Sequence, residues 1–437
     1  MPPLSWLLAG IAIMLVFLAG GVWIAFAVGL GAAITLWPVL GIKTLSLIGI
    51  QSWDTTTSFV LVAIPLFVFM GEIIAGAQLV DRLYSGVSKL ISGLPGGLVQ
   101  TNLFACSIFA ACSGSSLASA ATMGRMAYEE QVGRRGYQPR LVLGSVAAGG
   151  TLGILIPPSI FFIVFAAIAD ESVGRLFLGG VFPGLVAVTL FMSYVAIRAI
   201  MDARLVPRGA GEIDQRLTLG QRLRGALEIW PFLLLIVAVL GSLYGGIATP
   251  TEAAGVGASA ALLIAAGYRT LTWQGLKRAC LGTVRTSSML FFIIISAKLM
   301  AIALAYYGVP VMMRNVALAL GSPHLLLLLI SAIYLLLGTV FEDFSLMIIL
   351  LPFVLPMIRT AGFDTVWFGV FMTVLLQAGL LSPPVGLNLF VIQGVTGAQL
   401  AEVIWGSVPF LILLLTIGVL LVVFPPLALW LPSFWIG

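Results

Sequence analysis

Gly153-Ile154-Leu155-Ile156-Pro157-Pro158-Ser159 has a counterpart 226 residues later, Gly379-Leu380-Leu381-Ser382-Pro383-Pro384-Val385, in a chain of 437 residues. Both stretches lie inside long apolar runs. Each Pro lacks a backbone donor and its ring clashes with the preceding turn, so neither stretch continues as a regular helix. In a bilayer such a break survives only where protein buries it or where it lines a polar cavity. Matching breaks in the two halves of a membrane chain point to the binding site of a transporter.

The rest of the chain fits that setting. Hydrophobic residues make up 61% of it and charged residues 8%, the composition of a polytopic membrane protein. At about 20 residues per span, the length accommodates roughly 10–12 crossings. The first apolar stretch, Leu4 to Leu40, has no basic leader and reads as membrane helix. No Gly-x-x-x-x-Gly-Lys-Ser/Thr loop occurs, which excludes an ATPase built on that motif. The net charge of +5 gathers in a few loops, as in cytoplasmic loops of membrane proteins, so no nucleic-acid partner is expected. Cys106, Cys112 and Cys280 have neither pairing nor metal spacing and read as reduced packing residues.

The same offset of 226 relates Gly136-Tyr137 to Gly362-Phe363, Gly180 to Gly406, Pro183 to Pro409 and Ser119 to Ser345, which indicates an internal duplication. The most polar stretch, Ile200 to Glu228, separates the halves with Arg204, Arg208, Arg216, Arg222 and Arg224. Within it, Leu217, Leu219, Leu223 and Leu227 suggest an amphipathic helix lying on the membrane surface. A second basic stretch holds Arg269, Lys277, Arg278 and Arg285. Placing both in the cytoplasm leaves two spans between them, near Ile229–Gly245 and Glu252–Gly267, joined by a periplasmic turn at Thr249-Pro250. Arg125, Arg134, Arg135 and Arg140 put the loop of the first half inside, whereas its counterpart holds only Arg359, offset by Asp364. Equivalent loops on opposite sides make the repeats inverted, the arrangement that supports alternating access.

A second interruption precedes each Pro pair. Ala111-Cys112-Ser113-Gly114-Ser115-Ser116 separates Leu98–Ala110 from Leu117–Ala127, and Gly338-Thr339-Val340-Phe341-Glu342-Asp343 separates Leu325–Leu337 from Phe344–Leu355. The flanks are too short to span alone, so each pair reads as a re-entrant hairpin. Hydroxyls and freed carbonyls at a tip are hard ligands for a small cation. The helix that starts after the turn presents its positive dipole end to an anion. Tip and break together can therefore hold Na⁺ and a carboxylate close to one another. The adjacent Glu342-Asp343 suggests cation coordination, or capping of the following helix, ahead of a proton relay.

Glu72, Glu252, Lys298 and Glu402 fall in predicted spans. Glu72 and Lys298 share the 226 offset and are either a pair beside the pathway or structurally neutralised. Glu252 and Glu402 lie near span starts and read as interfacial. Lys298 is the only basic residue predicted within a span, so no buried Arg is available to hold an anionic substrate. Its charge falls to helix ends, bound cations and neutral groups such as Gln377 and Asn388.

Gly150 to Ser159, Ser113-Gly114-Ser115-Ser116 and Leu380 to Asn388 together resemble the large membrane subunit of tripartite ATP-independent periplasmic (TRAP) transporters, over about Pro65 to Val423. The resemblance implies an all-α, multi-pass protein of the bacterial inner membrane, with two re-entrant hairpins and two broken transmembrane helices in an elevator-type arrangement. It divides the chain into N-terminal scaffold helices (1–64), a first repeat (65–199; hairpin about 95–127, broken helix about 141–168), a central segment with two scaffold helices (200–286), a second repeat (287–424; hairpin about 324–358, broken helix about 366–396) and a C-terminal tail (425–437). It implies Na⁺ as coupling ion with no other cofactor, a small four-helix membrane subunit, a periplasmic substrate-binding protein and a small carboxylate substrate. One Na⁺ site would take Ser113, Gly114, Ser115, Ser116, Gly149, Gly153 and Pro157; the other Gly338, Thr339, Glu342, Asp343, Gly379, Ser382 and Pro383. Substrate would lie against Ser116, Pro158, Ser159, Gln377, Pro384 and Asn388. The acidic pair Glu342-Asp343 departs from the expected single acid, which leaves the make-up of the second site open.

The alternatives are a cation-coupled anion transporter that needs no binding protein, an ion channel built from the hairpins, and an intramembrane protease using Ser113. The last is disfavoured because the sole histidine, His324, lies at the mouth of the second hairpin.

Overall fold

The computed structural model describes residues 3–77, 79–202, 204–207 and 217–435, and among these every regular element is helical. Four helices are long and apolar enough to cross a membrane, and two bent pairs add two further candidates. Eight more apolar helices are only 10–17 residues long. The expected 10–12 crossings therefore cannot be counted as uninterrupted rods. The shortfall arises because all but one of the hairpin arms and broken-helix halves are too short for a bilayer core that takes about 20 residues; the exception, Asp343–Thr360, has 18 residues and outruns the short arm expected at Phe344–Leu355.

Glycine and proline set where the helices stop. Leu4 to Leu40 is not one helix but two, Leu4–Ala19 and Ile24–Leu40, divided at Gly20-Gly21, where Gly21 has φ +76°. They pack so closely that a Cβ on Gly10 would lie 1.9 Å from Thr35 Oγ1. Pro183 and Pro409, in contrast, sit inside the continuous helices Val173–Met201 and Leu400–Val423. The repeat-related Gly136 and Gly362 both take left-handed φ, +69° and +82°, after the second hairpin arm of their respective halves.

Leu219–Glu228 is a helix, as its leucine spacing suggests. Its Leu223 and Leu227 are exposed, and Arg208 and Arg216 lie outside the described residues. It packs on Leu79–Leu90 through Gly86 and Gly225, and Lys89 pairs with Glu228 at 2.5 Å. The spans that follow are Trp230–Tyr244 and Pro250–Gly267. Glu252 and Thr249 close a capping box at the start of the second of these, which explains an acid at that position. In the C-terminal segment Pro426–Trp435 is a helix, and Trp435 Nε1 donates to Tyr244 O. All three cysteines are free, but Cys280 is exposed, so packing does not account for it.

The 34-residue helix Trp273–Tyr306 packs against Ile24–Leu40 and against Ala63–Gly76. It divides two apolar cores. The smaller joins the N-terminal helices to Ile295–Val309; the larger runs through both repeats.

Candidate functional site

Each repeat supplies a helical hairpin and a broken helix. The first hairpin is Leu98–Ser113 and Ser116–Ala127; the first broken helix is Pro139–Thr151, then the break, then Ile160–Ala169. The second hairpin is Pro323–Gly338 and Asp343–Thr360; the second broken helix is Thr365–Leu380 and Leu387–Thr396. Pro157-Pro158 and Pro383-Pro384 are both cis peptides.

The halves are cross-braced. The first hairpin packs on Pro139–Thr151 of its own repeat and on Leu387–Thr396 of the other. A Cβ on Gly124 would lie 2.8 Å from Ile392. The second hairpin packs on its own Thr365–Leu380 and on Ile160–Ala169 of the first repeat, where the Phe161 and Phe344 rings meet at a tilt with centroids 5.7 Å apart. Each break is therefore closed by elements from both repeats.

At the first tip, Gly114 adopts the left-handed conformation (φ 62°, ψ 11°), with the position of its missing side chain filled by Ile160. Ser115 Oγ accepts from Ala118 N–H and caps the second arm. Ser113 Oγ meets Ser119 Oγ at 2.9 Å, and Ser119 Oγ donates to Ser115 O. Gly153 lets the broken helix touch this tip: a Cβ there would lie 3.1 Å from the Ser115 carbonyl carbon. Gly149 does not face the tip; it packs on Cys106 in the hairpin's first arm. Pro157, Pro158 and Ser159 are buried, and Ser159 Oγ donates to Ile154 O at 2.8 Å.

The second tip follows the same plan with different side chains. Glu342 replaces Ser115 as the cap, its Oε2 accepting from the Ser345 N–H and hydroxyl. Gly379 seats the broken helix against Gly338, with a virtual Cβ 2.8 Å from Gly338 Cα. Thr339 O accepts from Gly386 N–H at 2.8 Å, tying the tip to the residue after the Pro pair. Ser382 is half-buried, and Pro383 and Pro384 are exposed.

Two contacts join the half-sites. Ser116 Oγ reaches Asp343 Oδ2 at 3.5 Å, and Asn388 Nδ2 donates to Ala147 O at 3.3 Å. Asp343 is 2% exposed, and Gln377 and Asn388 are fully buried. Gln377 Oε1 and Nε2 and Asn388 Oδ1 have no hydrogen-bond partner, unusual for interior amides. Motif reading singled out Glu72 and passed over its neighbour Gly71. It is Gly71 that meets the first tip, with a virtual Cβ 3.2 Å from Ser113 Cα, while the Glu72 carboxylate lies against Gly282. The ion pairs found among the described residues include neither Glu72 nor Lys298.

Residues 11–427 match the family model described as "Tripartite ATP-independent periplasmic transporter, DctM component". The chain belongs to this family. Over 413 residues, 94% of each chain, this TRAP permease is 34% identical to the C4-dicarboxylate TRAP transporter large permease protein DctM of Pseudomonas aeruginosa. It is 30% identical over 384 residues to the sialic acid TRAP transporter large permease protein SiaM of Vibrio cholerae, covering 87% of this chain and 88% of that one. The YdaH transporter of Alcanivorax borkumensis shares the fold, with a TM-score of 0.64 at 16% identity and 98% coverage of both chains. The TRAP permease is thus an all-helical membrane transporter component and not an enzyme.

Proposed function

We propose that this permease moves a small organic anion, a C4-dicarboxylate or a related carboxylate, inward across the bacterial inner membrane, driven by a Na⁺ gradient. The observation that carries the reading is the junction of the two half-sites. Ser116 meets Asp343 there, and the interior amides Gln377 and Asn388 keep unpartnered polar atoms. Leaving such groups unmet costs about 1–3 kcal/mol each, a penalty that a bound anion's oxygen would remove at Gln377 Nε2 and a cation at the two amide oxygens. None of the site residues is Lys or Arg, so cations coordinated at the tips supply the positive charge the substrate needs.

One Na⁺ is assigned to Ser113, Ser115 and Ser116 with the backbone around Gly153 and Pro157. The other is assigned to Gly338, Thr339, Glu342, Asp343, Gly379 and Ser382. Substrate lies between them, within reach of Pro158, Ser159, Gln377, Pro384 and Asn388. The two cross-braced hairpins and broken helices then travel together as an elevator against the N-terminal and central helices. Inverted repeats support this because exchanging their conformations turns an outward-facing site inward. A small four-helix membrane subunit completes the fixed part, and a periplasmic binding protein delivers substrate.

Reconstitution with both partners in liposomes tests the reading by uptake of radiolabelled C4-dicarboxylates. Uptake is expected only with Na⁺ outside and the binding protein present. Uptake without the binding protein would refute the tripartite scheme, and uptake indifferent to Na⁺ would refute the coupling.

A further inference from the structure

Arg82, Trp230 and Tyr268 form a cluster remote in sequence from every residue assigned above. Trp230 opens the span Trp230–Tyr244, and Tyr268 closes the span Pro250–Gly267. Trp230 Nε1 donates to Tyr268 Oη at 2.9 Å, which brings these two ends to the same level of the membrane. That level is the cytoplasmic interface, since the basic stretches before Trp230 and after Tyr268 both belong inside. Arg82, exposed on the helix Leu79–Leu90, lies over the Tyr268 ring with its Cζ 4.6 Å from the centroid.

Beneath the aromatic pair runs an open groove of about 410 Å³, walled by Leu234, Ala260, Leu263 and Ile264. Gly267 adds no side chain to it, and no atom occupies the space a Cβ would take there. The groove is apolar for its length and polar only at its cytoplasmic mouth. Charge at the mouth is one-sided. Glu228 is held by Lys89 at 2.5 Å, and the ion pairs among the described residues include neither Arg82 nor Arg269, the exposed residue after Tyr268. Asp81 is the remaining acid beside Arg82 in the chain, on the same exposed turn. Arg82 is thus stacked on a ring with its hydrogen-bonding edge free to meet a phosphate.

We infer that this groove is a binding site for an anionic phospholipid of the cytoplasmic leaflet, with one acyl chain between Leu234 and Leu263 and the headgroup phosphate on Arg82, Trp230 and Tyr268. An apolar slot below a basic, aromatic rim at the interface matches the two ends of such a lipid. Either end alone would not: a free phosphate has no use for the slot, and a zwitterionic lipid has less use for the unpaired arginine. The position has a mechanical consequence. Leu79–Leu90 leads into the first hairpin, whereas Trp230 and Tyr268 sit on a separate pair of spans. A lipid held by both braces the joint between them.

The test uses the full chain in detergent, titrated with phosphatidylglycerol, with phosphatidylcholine of the same acyl chains, and with soluble glycerol 1-phosphate, while native mass spectrometry counts bound lipid. Phosphatidylglycerol is expected to be retained and phosphatidylcholine to be lost. Arg82→Gln should weaken retention about fivefold, the loss expected for one basic residue at an anionic surface, and Arg82→Lys should keep most of it. Leu263→Trp, at a residue 73% exposed, fills the slot and should also displace the lipid without unfolding the chain, as checked by its thermal midpoint in detergent alone. Retention by either Arg82→Gln or Leu263→Trp overturns the site. Equal binding of phosphatidylcholine overturns the headgroup assignment, and competition by glycerol 1-phosphate at the lipid's own concentration overturns the acyl assignment.

Discussion

The two half-sites share a backbone and differ in chemistry. Both have a cis Pro pair, a glycine that seats the broken helix on the hairpin tip, and a side chain that caps the second arm. At the first tip and break Ser159 donates to Ile154 O, Ser113 pairs with Ser119, and the Pro pair is buried. In the second half the Pro pair is exposed, the cap is an acid beside another acid, and Gln377 and Asn388 leave polar atoms unpartnered. The hairpin arms differ likewise. Leu98–Ser113 is buried almost throughout, whereas Pro323–Gly338 exposes Leu325, Leu328, Leu329, Ile333 and Leu336. Duplication has thus preserved the breaks, while the adjacent acids at the tip, the exposed Pro pair and the unpartnered atoms of Gln377 and Asn388 belong to the second copy.

The largest effect should come from the one contact that crosses between tips. Asp343→Ala removes the acceptor of Ser116 and the buried carboxylate assigned to the cation. Interactions with a charged group contribute up to about 3 kcal/mol, so Na⁺-driven uptake is expected to fall by about 100-fold. Ser116→Ala removes only a neutral partner at 3.5 Å and should cost no more than about tenfold. If the two variants lose uptake equally, the chemistry is shared between the halves and the contrast fails.

The glycine seats are a test of backbone rather than side chains. A methyl on Gly379 meets Gly338 Cα at 2.8 Å, and one on Gly153 meets the Ser115 carbonyl carbon at 3.1 Å. Neither neighbour is a flexible side-chain end. Both alanine variants should lose about 1–3 kcal/mol of stability, Gly379→Ala toward the upper end, read as midpoints of thermal unfolding in detergent. A tolerant Gly379 would mean that tip and break are not pressed together as they are here.

Much of this arrangement was legible in the sequence because it depends on residues that interrupt helices. Gly114, Gly136 and Gly362, and the two Pro pairs, mark the turns in one dimension, and the 226 offset pairs all but Gly114, whose counterpart is Val340. What could not be read is which atoms meet across the duplication. Ser116 and Asp343 are 227 residues apart and Asn388 and Ala147 are 241 apart, each brought together by helices that set no strongly apolar face against a polar one. In such helices periodicity does not say which face turns inward. The same limit hid Gly71 behind Glu72: a charge in a span draws notice, whereas a glycine that makes room for Ser113 has no signature of its own. It also made Leu4–Leu40 read as one run, since Gly20-Gly21 breaks it without any change in hydropathy.

Gln377 and Ser159 separate function from stability at a smaller scale. Gln377→Leu removes interior polar atoms that have no partner, so the protein should unfold about 1 kcal/mol later while uptake falls about tenfold. Ser159→Ala deletes a satisfied bond to Ile154 O, so about 1 kcal/mol of stability should be lost, with a smaller fall in uptake than that of Gln377→Leu. Parallel thermal and uptake measurements on both variants decide it. A Gln377→Leu protein that is less stable and fully active would make the amide a structural group.

The smallest effect concerns the caps, where the halves have solved one problem with different groups. The arm after each turn begins with unsatisfied N–H groups, and Ser115 or Glu342 accepts from one of them. Replacing a serine cap by alanine costs about 1 kcal/mol, so Ser115→Ala should lower the unfolding midpoint. Glu342→Gln keeps an oxygen in place for the Ser345 N–H, and the cap should survive with a loss of a few tenths of a kcal/mol. If capping is all that Glu342 does, its glutamine variant will also keep normal dependence of uptake on Na⁺ concentration. If its charge helps to hold the cation, the Na⁺ concentration for half-maximal uptake will rise severalfold while the unfolding midpoint stays put. Ser115→Ala offers the comparison: it loses a neutral cap and one hydroxyl assigned to the other Na⁺, so its midpoint should fall while its Na⁺ requirement rises less than the loss of a carboxylate would raise it.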